Sequence, residues 1–464
     1  MKKFILLCTF CWGMLVPGAR ACTSFLAGRN ATIDGSTFIT YAADSHTLYG
    51  ALKFIPAARH PKNSTMEIRE WDTNKLLGHI PQVEYTYKVV GNMNEHQLSI
   101  TESTWGGRPE LVDTTGIIDY GSLMYIALQR AKTAREAITV MTDLVSEYGY
   151  YSSGESFSIA DPEEVWIMEM IGKGPQNQGA VWVAVRIPDD CIAAHANQSR
   201  IHKFPLDDKE NCLYSPDVIS FAREQGYFNG LNKDFSFADA YAPADFGALR
   251  GCEARVWSFY NRFNSSMGKY LSYLNGKSKE YLPLYIKPDK KLSVQDMKDA
   301  MRDHFEGTPF DMTQDVGAGP FKCPYRFRPM TFKVDSVEYT NERAVATQQT
   351  AFTLVAQMRS WLPNAIGGVL WFGVDDTNTC VYVPLYACLN EVPECYSELN
   401  GSMYDLSWTS AFWIHNWVAN MAYSRYDQMI EDIRPVQKDI ETTFNVQQPV
   451  IEKVANDLYR NDPV

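Results

Sequence analysis

Apolar residues follow two rhythms along the 464-residue chain. Short runs rich in β-branched and aromatic residues, bounded by Gly, Pro, Asp or Asn, predict strands. Two such runs, 22–28 and 37–43, flank a turn at Asp34-Gly35. Three more, at 165–171, 180–187 and 191–197, follow one another closely and predict three successive antiparallel strands. A further pair, 369–374 and 380–385, encloses Asp375-Asp376-Thr377-Asn378 and predicts a hairpin. Helical spacing lies between these runs. Thr133 opens a helix over 133–148 with Ala137, Met141, Leu144 and Tyr148 on one face, and Glu136 completes a capping box. Ser293 with Asp296 starts a similar helix over 293–305. Residues 348–362 and 407–433 are predicted helical as well, and the polar segment after Arg434 predicts a packed or frayed terminal helix. No repeat or Gly/Ser linker intervenes, so 22–464 is expected to form one domain with a helical C-terminal region. Hairpins grouped apart from helices imply packed α and β layers, not a parallel βαβ sheet.

The first 21 residues have a different pattern. Lys2 and Lys3 precede an apolar run over 4–16, then Pro17, Gly18 and Ala19-Arg20-Ala21. A basic head, a short apolar stretch and an A-x-A site are expected of a secretory signal peptide. The run is shorter than the roughly 20 residues that cross a bilayer. An uncleaved anchor or a lipoprotein acylated at Cys22 are the alternatives, and Arg20 argues against the second. The mature chain is thus expected to be exported, periplasmic or extracellular, without stable membrane insertion. The formal charge of −12 becomes −15 once the three cations of the leader are gone, and no basic stretch follows, which argues against nucleic acid as a partner. Eight cysteines remain after Cys8 and Cys11 are lost. Setting Cys22 aside leaves an odd number, so at least one other thiol is unpaired; Cys388 and Cys395 are the nearest pair, and pairing itself is open.

Familiar catalytic signatures are missing from 22–464: H-E-x-x-H, C-x-x-C, G-x-S-x-G and the P-loop do not occur there. Gly317-Ala318-Gly319-Pro320 lacks the context of a dinucleotide fingerprint and predicts a tight loop. No metal or organic cofactor is implied. Cys22 stands out instead. Cleavage after Ala21 would give one residue both a thiol and a free α-amine. With a pKa of about 7.7–8.0, against about 8.5 for a thiol, that amine can act as a general base near neutral pH.

The residues around and beyond Cys22 extend the pattern. Cys22-Thr23-Ser24-Phe25-Leu26-Ala27-Gly28, then Asp34-Gly35-Ser36-Thr37 and Asp44-Ser45, resemble the start of the family C69 dipeptidases, which are N-terminal nucleophile hydrolases related to choloylglycine hydrolases and penicillin V acylases. The likeness continues at Gly91-Asn92-Met93-Asn94-Glu95-His96, Asp161-Pro162-Glu163-Glu164-Val165-Trp166, His195-Ala196-Asn197-Gln198-Ser199-Arg200, Ala254-Arg255-Val256-Trp257, and from Thr347 to Trp371.

The resemblance implies an α+β fold, an αββα sandwich of two antiparallel sheets covered by helices. It implies hydrolysis of short peptides with a free amino end through a Cys22 acyl-enzyme. Asn94 and Asn197 would donate to the oxyanion, Asp44 would hold the substrate's amino group or orient the Cys22 amine, and Arg255 would steady the nucleophile. One departure stands within Thr40-Tyr41-Ala42-Ala43-Asp44: the family's arginine is replaced by Tyr41, so a cation beside the thiol must come from elsewhere or be absent. The same machinery acting on bile-salt or penicillin-like N-acyl amides is the nearest rival reading, and self-association is left open.

Overall fold

The computed structural model describes residues 22–326 and 330–462. The segment read as a leader lies outside the described residues. Two large sheets dominate. The first runs Tyr285–Ile286, Ile192–His195, Ser24–Ala27, Thr37–Asp44, Thr350–Met358, Val369–Val374, Val383–Tyr386. The second runs Cys212–Tyr214, Ala180–Arg186, Val165–Gly172, Gly154–Ala160, Ser99–Trp105, Met93–Asn94, Val89–Val90, Phe54–Ile55. Every neighbouring pair in both is antiparallel.

The alternation of strand side chains explains the layering. Leu26, Ile39, Tyr41 and Ala43 point into a core shared with Ile167, Val183, Leu354 and Leu370, between the two sheets. Their sequence neighbours Phe25, Phe38 and Ala42 point the other way, into a second core with the helices Ala254–Phe263 and Val294–Met301. Phe25 stacks on Phe259 with centroids 4.1 Å apart. On the far side, Ile100, Phe157, Ile159 and Trp166 are covered by Leu123, Ala127, Ala137 and Met141 of the helices Tyr120–Arg130 and Ala134–Tyr148. Strands apolar on both faces are what a four-layer αββα sandwich requires. Each fully buried Leu or Ile contributes about 1.5–3 kcal/mol.

Two sequence expectations are corrected. The stretch 348–362 is not helical: Thr350–Met358 is a central strand, paired on one side with Thr37–Asp44 and on the other with Val369–Val374. Ala, Leu, Gln and Met favour helices by only fractions of a kcal/mol each, and two complete ladders outweigh that preference. The stretch 191–197 does form a strand, Ile192–His195, but in the other sheet, paired with Ser24–Ala27 and not with Ala180–Arg186. The chain crosses between sheets over 187–191, and Gly28 makes the crossing possible. A Cβ there would lie 2.5 Å from the carbonyl oxygen of Asp189.

The 369–374 hairpin forms, with its second strand at Val383–Tyr386. The Ser293–Asp296 capping box is complete. Its helix stops at Met301, short of Phe305, where a φ of 66° turns the chain. At Thr133 only half a box forms, because Glu136 reaches the amide of Lys132 instead of the cap's own. Beyond Ala411–Tyr423, the helix Tyr426–Asn461 runs on through Pro435 and Pro449. Two buried ion pairs, Arg302–Glu441 and Arg359–Glu452, dock it on the sandwich. No helix among the described residues is long and apolar enough to cross a membrane.

Candidate active site

Thr23 pairs with Ala42 through a two-bond bridge, which fixes Cys22 two residues before the first strand. The period-2 alternation then sends its side chain into the inter-sheet core, on the same side as Leu26 and Tyr41. The thiol sits at a cavity lined by Tyr41, Asp44, Trp71, Asp72, Glu102 and Tyr120, among others. Its Sγ lies 3.4 Å from Glu102 Oε1 and 3.8 Å from Tyr41 Oη, and the Tyr41 hydroxyl donates to that same carboxylate oxygen. Burial, then the charges of Glu102 and Asp44, push the thiol well above its ordinary pKa. Burial also pushes up the Tyr41 phenol, so it stays a neutral donor.

Behind the nucleophile lies a pair of arginines. Arg255, almost fully buried, spends all its donors on neutral acceptors. Nη1 donates to Cys22 O and Thr23 Oγ1, both at 2.7 Å; Nη2 to Ala196 O at 3.0 Å and Asn197 Oδ1 at 2.9 Å; Nε to Gly251 O at 2.7 Å. Burial, then the like charge of Arg343, lowers its pKa to about 9. Arg343 pairs with Asp44, which also accepts from Thr350 Oγ1 at 2.5 Å. Thr350 reaches Asp44 because the 350–358 strand is irregular at that point: Thr350 faces Asp44, yet Phe352 faces Ala43. Such bulges re-aim side chains near sites. Burial raises the Asp44 pKa while Arg343 and Thr350 act against it.

The two asparagines part company. Asn197 ends its strand with a φ of 59°, in the left-handed region that asparagine tolerates. Its Oδ1 is held by Arg255, and Nδ2 donates to Thr104 O at 2.6 Å. Arg255 thereby ties Cys22 and Asn197 together. Asn94 does other work. Its Nδ2 donates to Leu128 O at 2.8 Å and Ala131 O at 2.7 Å, and its Oδ1 accepts from the amides of His96 and Leu98. Both amide hydrogens go to carbonyls at the end of the Tyr120–Arg130 helix. The expectation of an oxyanion donor at Asn94 is therefore corrected: its side chain is a structural brace.

The model of peptidase family C69 matches residues 52–439. The chain belongs to that family. It is 27% identical to a probable dipeptidase of Latilactobacillus sakei over 425 residues, 88% of this chain and 82% of the relative. A probable dipeptidase of Salmonella dublin is also 27% identical, over 83% of this chain and 85% of its own length. Dipeptidase A of Lactobacillus helveticus is 23% identical over 94% and 89%.

Of the residues singled out in this C69 chain, Cys22, Asp44, Asn197 and Arg255 converge. Three partners escaped sequence reasoning. Glu102 is a carboxylate in the otherwise uncharged run Ser99–Trp105, a signal that a buried charge has a task. Arg343, the cation that pairs with Asp44, follows an exposed hairpin, and nothing in the local pattern marks it. Thr350 was hidden by the helical reading of 348–362. Among the described residues no group of His, Cys, Asp and Glu is placed to hold a metal ion. All eight cysteines from Cys22 onward are free thiols, Cys388 and Cys395 included.

Proposed function

We propose that this peptidase is an exported dipeptidase whose nucleophile is Cys22, with its own α-amine, freed by removal of residues 1–21, as the base. The observation that carries the reading is a buried thiol just before the first strand, at a cavity, on a residue whose carbonyl is held by Arg255, which also holds Asn197. The names of the curated relatives support the substrate class.

In this mechanism the α-amine takes the Sγ proton as sulfur attacks the scissile carbonyl. A thiol whose ionisation is disfavoured by burial needs such a base. The second hydrogen of Asn197 Nδ2 donates to the oxyanion, a contribution of about 2.7–4 kcal/mol for donors of this kind. Arg255 keeps Asn197 Oδ1 occupied, so that Nδ2 is the end presented. The protonated amine then gives its proton to the leaving amino group, and water hydrolyses the thioester by the reverse path. Mature protein should hydrolyse unblocked dipeptides, lose activity on one-to-one alkylation of Cys22 and keep it in strong chelators. Turnover of N-acyl amides in preference to free dipeptides would favour the rival substrate class, and inactivation by chelators would refute a thiol mechanism.

A further inference from the structure

We infer that Glu102 anchors the free α-ammonium of the substrate, so that the enzyme selects peptides by their amino end at the floor of the cavity. The inference rests on the dipeptidase reading. In an N-terminal residue the α-nitrogen is two bonds from the scissile carbonyl carbon, about 2.5 Å away given bonds of about 1.46 and 1.52 Å. With sulfur about 3–3.5 Å from that carbon at attack, the ammonium must sit within about 6 Å of Sγ. A carboxylate that receives it at about 2.8 Å must therefore stand close to the thiol.

Glu102 meets that condition, with Oε1 3.4 Å from Sγ. Asp44 is close as well, but its charge already faces Arg343 and its Oδ1 holds Thr350. The cavity matches a cationic guest. Asp72 is a further lining carboxylate, which accepts from Tyr120 Oη at 3.1 Å, and no lysine or arginine is among the described lining residues. An anion this near a nucleophilic sulfur opposes thiolate formation in the empty site, and the Glu102 charge does raise the thiol's pKa. A bound ammonium would neutralise that charge. The correct substrate would thus bring a cation that offsets this charge, while Tyr41, donating to the same oxygen, holds the carboxylate in place. Glu102 acts here as a substrate-binding residue, distinct from the base.

The test compares alanyl-alanine with its des-amino analogue, propionyl-alanine, on mature enzyme. The wild type should favour the free dipeptide by about 10²-fold or more in kcat/KM. Glu102→Gln should reduce turnover of alanyl-alanine by about 10²-fold, mostly through KM, and leave propionyl-alanine within a few-fold of wild type. It should also shift the pH profile of Cys22 alkylation to lower pH, since a negative charge beside the sulfur is gone. Equal losses on both substrates would overturn the inference and assign Glu102 to the Cys22 amine; no loss on either would overturn it too. Should Glu102→Gln not fold, the wild-type ratio decides alone. A wild type that cleaves both substrates equally overturns this inference and leaves the dipeptidase reading standing, whereas one that cleaves neither overturns both.

Discussion

Arg302 and Arg255 are both buried guanidiniums, yet they are satisfied in opposite ways. Arg302 meets Glu441 with two nitrogens, at 2.5 and 3.2 Å, and the carboxylate also receives the amide of Tyr382. Burial alone would raise the Glu441 pKa, but the Arg302 charge draws it below the ordinary range. Charge meets charge, and the pair pins the helix Tyr426–Asn461 to the sandwich. Arg255 has no carboxylate partner; it has carbonyls, a hydroxyl and an amide oxygen, with the like charge of Arg343 beside it. The Cys22 thiol, in turn, donates to Glu102, whose charge opposes its ionisation. Locally unfavourable electrostatics persist where the surrounding fold can bear them, and they concentrate at functional sites. The docking pair shows what the same residue types look like when only stability is at stake.

That contrast can be broken by exchanging the two roles experimentally. Arg255→Ala is expected to lower kcat/KM by about 10³-fold, because it releases both Cys22 and Asn197 from their positions. Each acceptor left unsatisfied costs about 1–3 kcal/mol, and relief of the buried charge and of its repulsion with Arg343 offsets part of that loss. Arg302→Ala should do the reverse: about 3–5 kcal/mol of stability lost, from an uncompensated Glu441, with kcat/KM per folded molecule unchanged. Denaturant titration alongside initial rates separates the two, and similar profiles for both variants would dissolve the distinction. Arg255→Lys should not restore activity, since one ammonium cannot replace a planar fork with five directed donors.

A smaller effect sharpens the comparison within one strand end. Asn197→Ala is expected to reduce kcat by about 10²–10³-fold with a lesser change in KM. Gln198→Ala, whose Nε2 donates to Ala242 O at 2.6 Å, away from the thiol, should matter far less. Equal rate losses at the two positions, or loss of folded protein at Asn197, would make Asn197 structural like Asn94.

Much of this architecture was legible in the chain. Hairpins grouped apart from helices implied α and β layers, the family resemblance implied their αββα order, and Ser293 with Asp296 marked a helix start that the structure reproduces. What was not legible depends on contacts distant in sequence. The 350–358 strand carries helix-forming residues and becomes a strand only because two partners flank it. The 192–195 strand lies close in sequence to one sheet and pairs with the other. At the site, Cys22 and Arg255 stood out by motif. Asn94 belonged to a similar motif, but its environment at a helix end cannot be read from neighbours in sequence. Arg343 reaches Asp44 across 299 positions, a pairing that only the closed sheet creates.

If Cys22 works with its own free α-amine, capping that amine with a single residue must silence the enzyme. Protein released in vitro with Cys22 as its first residue, verified by intact mass, is compared with protein carrying one additional alanine before Cys22, on the same unblocked dipeptide. The first is expected to turn over and the second to fall by about 10²–10⁴-fold, the range of a lost general base, with both folded and both alkylated at Cys22. Equal turnover by the two proteins would contradict that role of the amine, because an amide nitrogen cannot accept the thiol proton.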